Sequence, residues 1–231
     1  MSQRIARPVG LKFNNIEKRF GALYALKRLN LEIAAGECIA VTGRNGSGKT
    51  TLLRVASQLT RPTRGDVKYS GLSDGEIPAI GYVSHAVMLY DELTAAENLL
   101  LFAKVLGIEN PKQRTAELLE ATGLVARAGS LVRTFSRGMK QRLAIARALL
   151  SGPGLLLLDE PGTGLDTESM VWLVNTVRGL RDDGRTIVMS LHGESGLSQL
   201  ATRATRLDAG SVVADTRAGA TFQTVFAPGE R

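Results

Sequence analysis

The first candidate for chemistry is the run 43–50, which reads Gly-Arg-Asn-Gly-Ser-Gly-Lys-Thr. It lies between an apolar run, Cys38–Thr42, and a segment with helical character, Thr51–Gln58. Glycines let a backbone wrap closely around phosphate oxygens, while the N-terminus of the following helix faces the anion. Lys49 can reach the β- and γ-phosphates, and the Thr50 hydroxyl can ligate Mg²⁺. This order of strand, loop and helix predicts nucleotide binding rather than a plain glycine-rich turn. The predicted nucleotide contacts are Gly43, Arg44, Asn45, Gly46, Ser47, Gly48, Lys49, Thr50 and Thr51.

Two neighbouring carboxylates follow a second apolar run, Leu155–Leu158. Asp159 ends that run, where a carboxylate can hold Mg²⁺ directly or through water, and Glu160 is placed to orient or deprotonate an attacking water. The alternative is that Asp-Glu-Pro is only a strand-ending turn. However, the phosphate loop and the acidic strand occur in the order expected of a phosphate-loop ATPase. The sequence therefore predicts ATP and Mg²⁺ as cofactors, with Thr50 and Asp159 as metal ligands.

A third motif, residues 135–142, reads Phe-Ser-Arg-Gly-Met-Lys-Gln-Arg and precedes the acidic strand. Here the chain resembles the ATP-binding subunits of ABC transporters, whose signature is usually Leu-Ser-Gly-Gly-Gln. Ser136 and Gly138 stand at matching positions, whereas Phe135, Arg137 and Met139 depart from the pattern. The resemblance implies an α/β phosphate-loop NTPase fold of the ABC type. It also implies that Ser136 and Gly138 cap the γ-phosphate held by an opposite subunit.

The same resemblance assigns roles to further residues. It implies that Glu160 is the catalytic carboxylate and that Asp166, in the D-loop Gly162–Asp166, communicates across a dimer. His192 matches the switch histidine that contacts the γ-phosphate, although a single histidine at a strand end is more often an ordinary hydrogen-bonded residue. Phe20 aligns with the aromatic residue that stacks on adenine, and an ordinary core phenylalanine is the alternative.

His85 is the most informative departure from the family pattern. It stands where the family usually has a glutamine whose amide oxygen approaches Mg²⁺ and the attacking water. Mg²⁺ prefers oxygen ligands, so a histidine nitrogen is a poorer match. We therefore expect a catalytic His85 that is hydrogen bonded to water or phosphate rather than strongly bound to the metal.

The histidine replacement also bears on the cargo. Together with residues 89–99 and 135–142, it resembles the ATPase subunit of the haem exporter of cytochrome c maturation, over about 11–210. The implied partners are a second copy of the chain in a head-to-tail dimer and integral-membrane permease subunits. One alternative is an exporter of another cargo, such as a drug, lipid or polysaccharide. Another is a soluble ABC ATPase acting on ribosomes or nucleic acid, although no long coiled coil separates Lys49 from Ser136.

Charge is distributed unevenly along the chain, whose formal net charge is +7. Residues 1–30 hold seven Lys or Arg against a single acidic residue, and residues 121–150 contain no acidic residue at all. Such segments can attract nucleic acid, anionic lipid or nucleotide, but a solvated basic face is the commoner explanation. No aromatic residues are interleaved to make a base-stacking platform, so we expect no nucleic-acid partner.

Length and composition favour one nucleotide-binding domain spanning 1–231, because 231 residues with 44% apolar content can bury a sizeable core. No stretch predicts a membrane span, and residues 1–10 lack the apolar region of a signal peptide. We therefore expect a cytoplasmic protein, peripheral on the cytosolic face of the cell membrane. Cys38 is the single cysteine and stands in an apolar run, which indicates a core position.

Periodicity predicts the elements that must position these residues. Alternation at Leu29, Leu31 and Ile33, with residues 11–13 before it, predicts an N-terminal antiparallel β region. Apolar runs at 39–41, 80–83, 155–158 and 187–190 alternate with helical segments, which is typical of a mostly parallel core sheet. A helical subdomain is expected at about 86–150, with helices at 94–106 and 111–122. Residues 218–231 are expected to form a frayed tail.

Overall fold

A computed structural model describes residues 7–226, which form nine strands and six α-helices. The strands are β1 (Gly10–Phe20), β2 (Leu23–Ile33), β3 (Cys38–Thr42), β4 (Arg64–Ser70), β5 (Ile80–Val83), β6 (Leu155–Asp159), β7 (Thr186–Ser190), β8 (Arg203–Asp208) and β9 (Ser211–Asp215). The helices are α1 (Lys49–Ala56), α2 (Ala95–Val105), α3 (Pro111–Ala121), α4 (Arg137–Ala148), α5 (Thr167–Asp182) and α6 (Phe222–Phe226).

The N-terminal sheet has the strand order β2-β1-β4, and both of its pairings are antiparallel. Leu11 pairs with Ile33 and Phe13 with Leu31, and all four side chains are buried. Alternation places one face of such a sheet on the core and leaves the other to solvent. The predicted antiparallel region is therefore confirmed. The strand β4 was not predicted, because most of its side chains are polar.

The central sheet has the order β5-β6-β7-β3-β8-β9 and is parallel except for the β8–β9 pairing. The four apolar runs predicted from the sequence form the strands β3, β5, β6 and β7. The strands β3, β6 and β7 lie inside the sheet and are buried along their whole length, which fits their continuous apolar character. The mostly parallel α/β fold is thus confirmed. The strands β8 and β9 were not predicted, because arginines interrupt β8 and both strands lie near the end of the sequence.

The two faces of this sheet support two separate cores. Ile39 and Val41 of β3 point towards the N-terminal sheet and α1, whereas Cys38 and Ala40 point towards the helices α2 to α5. Burial raises the pKa of the Cys38 thiol to about 12, so the thiol stays protonated and unreactive. The expected core position of Cys38 is confirmed.

Between β5 and β6 the chain is largely helical, in the region expected as a helical subdomain. The helix α2 begins at a capping box in which Thr94 Oγ1 accepts from Glu97 N–H, and the Glu97 carboxylate accepts from Thr94 N–H. Both α2 and α3 end within one residue of the predicted boundaries. No helix among residues 7–226 is long and apolar enough to cross a membrane.

The prediction of a frayed tail is wrong as far as Phe226. The helix α6 packs on β8, with Val225 fully buried and its carbonyl accepting from Thr42 Oγ1 at 2.8 Å. Phe222 and Phe226 stack with their ring centroids 6.4 Å apart. These apolar residues at helical spacing provide the packing that a frayed tail would lack. Residues 227–231 lie outside the described part of the chain.

Candidate nucleotide site

The run 43–50 forms a tight loop between β3 and α1. Gly43 and Gly48 have φ angles of +139° and +107°, in the left-handed region that side chains avoid. A Cβ atom at Gly43 would lie 2.3 Å from the Leu207 carbonyl oxygen, and one at Gly48 would lie 2.6 Å from that of Ala25. Glycine is therefore required at both positions for the loop to close in this shape.

Lys49 is held inside this loop, with only 4% of its surface exposed. Its Nζ donates to the carbonyl oxygens of Gly43 at 2.8 Å and Arg44 at 3.1 Å. Burial lowers the pKa of Lys49, although the nearby Glu160 and Asp159 carboxylates act in the opposite direction. Ser47 Oγ is also buried and has no hydrogen-bond partner among the described residues. An ammonium group and an unused hydroxyl inside a glycine-rich loop suit a phosphate ligand.

The buried Asp159 carboxylate gathers hydroxyl groups from three elements. Thr50 Oγ1 donates to Asp159 Oδ1 at 3.1 Å, and Ser190 Oγ donates to the same oxygen at 2.7 Å. Tyr82 OH donates to Asp159 Oδ2 at 3.4 Å. Ser190 lies directly opposite Asp159 in the parallel β6–β7 pairing, which explains its contact. Neither Tyr82 nor Ser190 was predicted to lie in the site, since their approach to Asp159 depends on strand order rather than on any local motif.

The oxygen atoms of Thr50 and Asp159 fit Mg²⁺, which is commonly held in proteins by one or two carboxylates together with substrate phosphates. Within residues 7–226, no group of three or more His, Cys, Asp or Glu side chains is arranged to hold a metal alone. The remaining ligands of a Mg²⁺ ion at this position would therefore be nucleotide and water oxygens.

Glu160 is held in an uncommon backbone conformation beside Asp159. Its φ angle is +50°, and its N–H donates to Ser190 Oγ at 2.9 Å and to the Ser190 carbonyl at 3.2 Å. His192 Nε2 lies 2.7 Å from Glu160 Oε1, and His85 Nδ1 lies 3.8 Å from Glu160 Oε2. The structure thus brings the three predicted catalytic side chains together. A carboxylate in this setting can accept a proton from a water molecule.

Arg147 supports the segment that carries His85. Its guanidinium donates to the carbonyls of Met88 at 2.6 Å and Tyr82 at 3.2 Å, and it lies over the Phe102 ring at 5.2 Å. Burial lowers the pKa of Arg147. This contact was not predicted, because in the sequence Arg147 is one of several basic residues on the same helix.

Ser136 and Gly138 lie at the start of α4. Ser136 is the exposed N-cap residue, and its Oγ accepts from Met139 N–H at 3.2 Å. Gly138 is buried so tightly that a Cβ atom there would lie 2.0 Å from Ser169 Oγ. In the described part of the chain, no hydrogen bond or ion pair joins Ser136 to the phosphate loop of the same chain.

Phe20 and Asp166 complete the predicted set. Phe20 ends β1 with 53% of its surface exposed and with Lys18 Nζ 5.0 Å from its ring centroid. The alternative of a core phenylalanine is therefore wrong. Asp166 Oδ1 caps α5 by accepting from Ser169 N–H at 2.7 Å, and this hydrogen bonding lowers the pKa of Asp166. Thr51 lies in the first turn of α1.

The sequence of this chain matches a family model and several known proteins. The family model described as ABC transporter matches residues 26–163. The lipoprotein-releasing system ATP-binding protein LolD of Bacteroides thetaiotaomicron is 36% identical over 218 residues, which cover 89% of this chain and 100% of that protein. The linearmycin resistance ATP-binding protein LnrL of Bacillus subtilis is 35% identical over 211 residues, which cover 88% of this chain and 68% of that protein.

A solved structure agrees with these relatives. The dimeric structure of a post-hydrolysis state of the ATP-binding cassette MJ0796, bound to ADP and Pi, is 30% identical and has a TM-score of 0.79. The match covers 89% of this chain and 97% of that chain. With the phosphate loop, the Asp159–Glu160 pair and the Ser136 helix in place, the chain belongs to the ABC transporter family and is one of its ATP-binding, ATP-hydrolysing subunits.

Proposed function

We propose that this chain drives a membrane permease by hydrolysing Mg-ATP between two copies of itself. The observation that carries the proposal is the junction of β6 with the following turn. There Asp159 contacts Thr50 of the phosphate loop, and Glu160 contacts His192. Asp159 thus faces the phosphate loop, while the neighbouring Glu160 carboxylate is placed to act on a water molecule. In this proposal residues 1–231 act as one domain, with 86–150 as its helical subdomain.

Each candidate residue has a role in this mechanism. Thr50 and Asp159 hold Mg²⁺, which would neutralise phosphate charge. Glu160 orients the attacking water and accepts its proton, while His192 holds the Glu160 carboxylate towards the γ-phosphate. His85 hydrogen bonds to the same water or to the phosphate. The phosphate loop, 43–51, cradles the phosphates, and Phe20 stacks on the adenine ring.

The second copy completes the nucleotide site in this proposal. Ser136 lies exposed at the N-terminus of a twelve-residue helix, and no acidic residue stands in the first turn of that helix. Such a helix end suits an anion, here the γ-phosphate bound by the opposite copy. Asp166 then lies in the interface, and a two-fold head-to-tail dimer contains two equivalent sites. The two MJ0796 cassette structures described as dimeric support this arrangement.

The permease would dock on residues 88–106, a segment that contains α2, and this docking would place the chain on the cytosolic face of the membrane. Several large apolar side chains of this segment are exposed: Met88, Tyr90, Leu101, Val105 and Leu106. The same segment follows His85 and is tied to α4 by the Arg147 contact with Met88. Movement around the nucleotide can therefore reach the permease through α4 and this segment.

The direction of transport proposed here is export. The names of related proteins refer to linearmycin resistance, daunorubicin resistance, bacitracin transport and Nod factor export. These names favour a drug-like or lipid-linked cargo. Haem export for cytochrome c maturation remains a narrower prediction, which rests on His85 and on the resemblance in 89–99 and 135–142.

The Glu160→Gln variant tests the ATPase mechanism. We expect its turnover to fall by about a hundredfold or more, because glutamine cannot accept the proton from water. Light scattering after size exclusion should show a dimer with Mg-ATP and a monomer without it. A Glu160→Gln chain that binds Mg-ATP yet stays monomeric at saturation would contradict the two-copy mechanism.

The partner and cargo need a separate experiment. The tagged chain is isolated with its native membranes in mild detergent, and copurifying proteins are identified by mass spectrometry. Multi-span subunits together with a haem absorption band would support haem export. A permease without haem would support another cargo and rule out the haem assignment.

A further inference from the structure

Arg137 makes a contact that the usual family signature cannot make. It is the first residue of α4 and follows Ser136, at a position where the usual signature has glycine. Its Nε donates to the Thr163 carbonyl oxygen at 2.7 Å, and Thr163 lies in the D-loop Gly162–Asp166. We propose that Arg137 is a positioning residue that latches the D-loop to the signature helix of the same chain. The two segments would then meet the partner's nucleotide as one unit.

The D-loop is shaped to receive this side chain. Gly164 has a φ angle of +71°, and its backbone lies directly against Arg137. A Cβ atom at Gly164 would stand 2.9 Å from Arg137 Nε and 3.1 Å from Cζ. Real Cβ atoms essentially never come as close as the first of these distances. Any larger residue at Gly164 would therefore push the guanidinium away from Thr163.

The helices α4 and α5, which flank the contact of Arg137 with Thr163, pack against each other. The absence of a side chain at Gly138 lets the start of α4 approach Ser169 of α5, whose N–H is capped by Asp166. Further along, the Arg142 guanidinium lies 4.8 Å from the Trp172 ring centroid. The end of the D-loop is thus fixed to α4 through α5. Arg137 adds a hydrogen bond to the middle of the loop, where no other side chain of the described residues donates to a carbonyl oxygen of the loop.

Electrostatics alone does not explain an arginine at this position. Helix N-termini favour acidic residues and disfavour cations. Among residues 7–226, no carboxylate lies within ion-pair distance of Arg137, whereas Lys140 and Arg142 on the same helix have Asp91 and Glu168 as partners. The Arg137 guanidinium instead donates to the Thr163 carbonyl oxygen, next to Gly164. Its role in the dimer rests on the proposed function, but the latch itself does not.

The first test uses the chain of residues 1–231 without nucleotide. Hydrogen exchange is measured by mass spectrometry on peptides covering 161–166, in the parent, in Arg137→Gly and in Arg127→Gln. Arg127 is an exposed basic residue outside the latch, so its variant controls for the lost charge. We expect exchange in this segment to become about tenfold faster in Arg137→Gly, because about one charge-assisted hydrogen bond is lost. Exchange should be unchanged in Arg127→Gln. Unchanged exchange in Arg137→Gly would overturn the latch.

The second test measures ATP-dependent dimerisation in a Glu160→Gln background. We expect Arg137→Gly to weaken dimerisation about tenfold while the affinity of the monomer for ATP, set by its own phosphate loop, is unchanged. Gly164→Ala should weaken dimerisation in the Arg137 chain by a larger factor than in the Arg137→Gly chain. The backbone strain at position 164 is common to both backgrounds, so the difference reports the contact.

The two tests can fail independently, so the Arg137 latch and the two-copy mechanism are tested separately. Faster exchange with normal dimerisation, or equal effects of Gly164→Ala in both backgrounds, would overturn the role of Arg137 in the dimer. A Glu160→Gln parent that fails to dimerise would overturn the proposed function, while hydrogen exchange would still decide whether the latch exists.

Discussion

His192 Nε2 lies 2.7 Å from Oε1 of Glu160, a contact between the turn after β7 and the turn after β6. The Glu160 backbone is fixed by the same region, because its N–H donates to Ser190 Oγ and to the Ser190 carbonyl. The end of β7 therefore controls both the backbone and the carboxylate of Glu160. A histidine and a serine two residues apart provide this support.

Replacing His192 should affect turnover more than nucleotide binding. We expect His192→Ala to lower kcat for ATP hydrolysis by about a hundredfold, because the carboxylate loses the group that directs it. The KM for ATP should change less than about threefold, since the phosphate loop is untouched. Steady-state kinetics measure both. Glu194→Ala, an exposed residue in the same turn, is the control. A rise in KM at constant kcat would mean that His192 acts only in binding.

Ser190 should affect the metal through Asp159. Its hydroxyl donates to Asp159 Oδ1 at 2.7 Å, the oxygen that also accepts from Thr50. Loss of such an outer hydrogen bond typically weakens metal affinity or activity 10- to 100-fold. We therefore expect Ser190→Ala to raise the Mg²⁺ concentration for half-maximal activity by about tenfold or more. Ser57→Ala, at the end of α1, should leave it unchanged. Equal Mg²⁺ dependence in both variants would show that Asp159 needs no such support.

The sequence predicted those parts of the fold that depend on local patterns. The continuous apolar runs predicted the strands β3, β5, β6 and β7, and the helical stretch predicted over 94–106 contains α2. It could not predict which strands lie side by side, because that order depends on long-range packing. Tyr82 and Ser190 reach Asp159 only through the order β5-β6-β7. The contact of Arg137 with Gly164 was missed for the same reason, since 26 residues separate Arg137 from the D-loop carbonyl that it binds.

The tail shows the opposite error, in which a short packed helix was predicted to be frayed. Val225 is the one fully buried side chain of α6, and its carbonyl accepts from the buried Thr42 hydroxyl. A helix of only five residues is too short for its apolar spacing to show a clear helical period. Its environment is created by β3 and β8, which are distant in the sequence.

A buried ion pair should link stability to pH. Arg203 Nε donates to Asp215 Oδ1 at 2.8 Å, and both side chains are about nine-tenths buried. Burial alone would raise the pKa of Asp215, but hydrogen bonds from Arg203 and Arg217 lower it below the ordinary value of 3.8. A carboxyl with a depressed pKa contributes stability above pH 3.8, and the contribution is lost as pH falls through the folded-state pKa.

We therefore expect Asp215→Ala to lower the free energy of unfolding by about 3–5 kcal/mol near neutral pH, because Arg203 is left buried without its main partner. The difference from the parent should shrink in acid, below the ordinary pKa of the carboxyl. Urea unfolding at several pH values measures both effects. Lys12→Ala breaks an exposed pair with Glu32 and should change stability by less than about 1 kcal/mol. A loss for Asp215→Ala no larger than that for Lys12→Ala would contradict the prediction.

His85 should set how the site depends on Mg²⁺. Its Nδ1 lies 3.8 Å from Glu160 Oε2, beyond direct hydrogen bonding but close enough to share a water. Glutamine at this position would present an amide oxygen, a ligand that Mg²⁺ prefers to a ring nitrogen. We expect His85→Gln to lower the Mg²⁺ concentration for half-maximal activity several-fold and to change kcat, while ATP affinity without Mg²⁺ stays constant. Mg²⁺ titrations of turnover and of fluorescent ATP-analogue binding separate these quantities. Unchanged turnover and Mg²⁺ dependence would remove His85 from the mechanism, and its contact with Glu160 would then be one of packing alone.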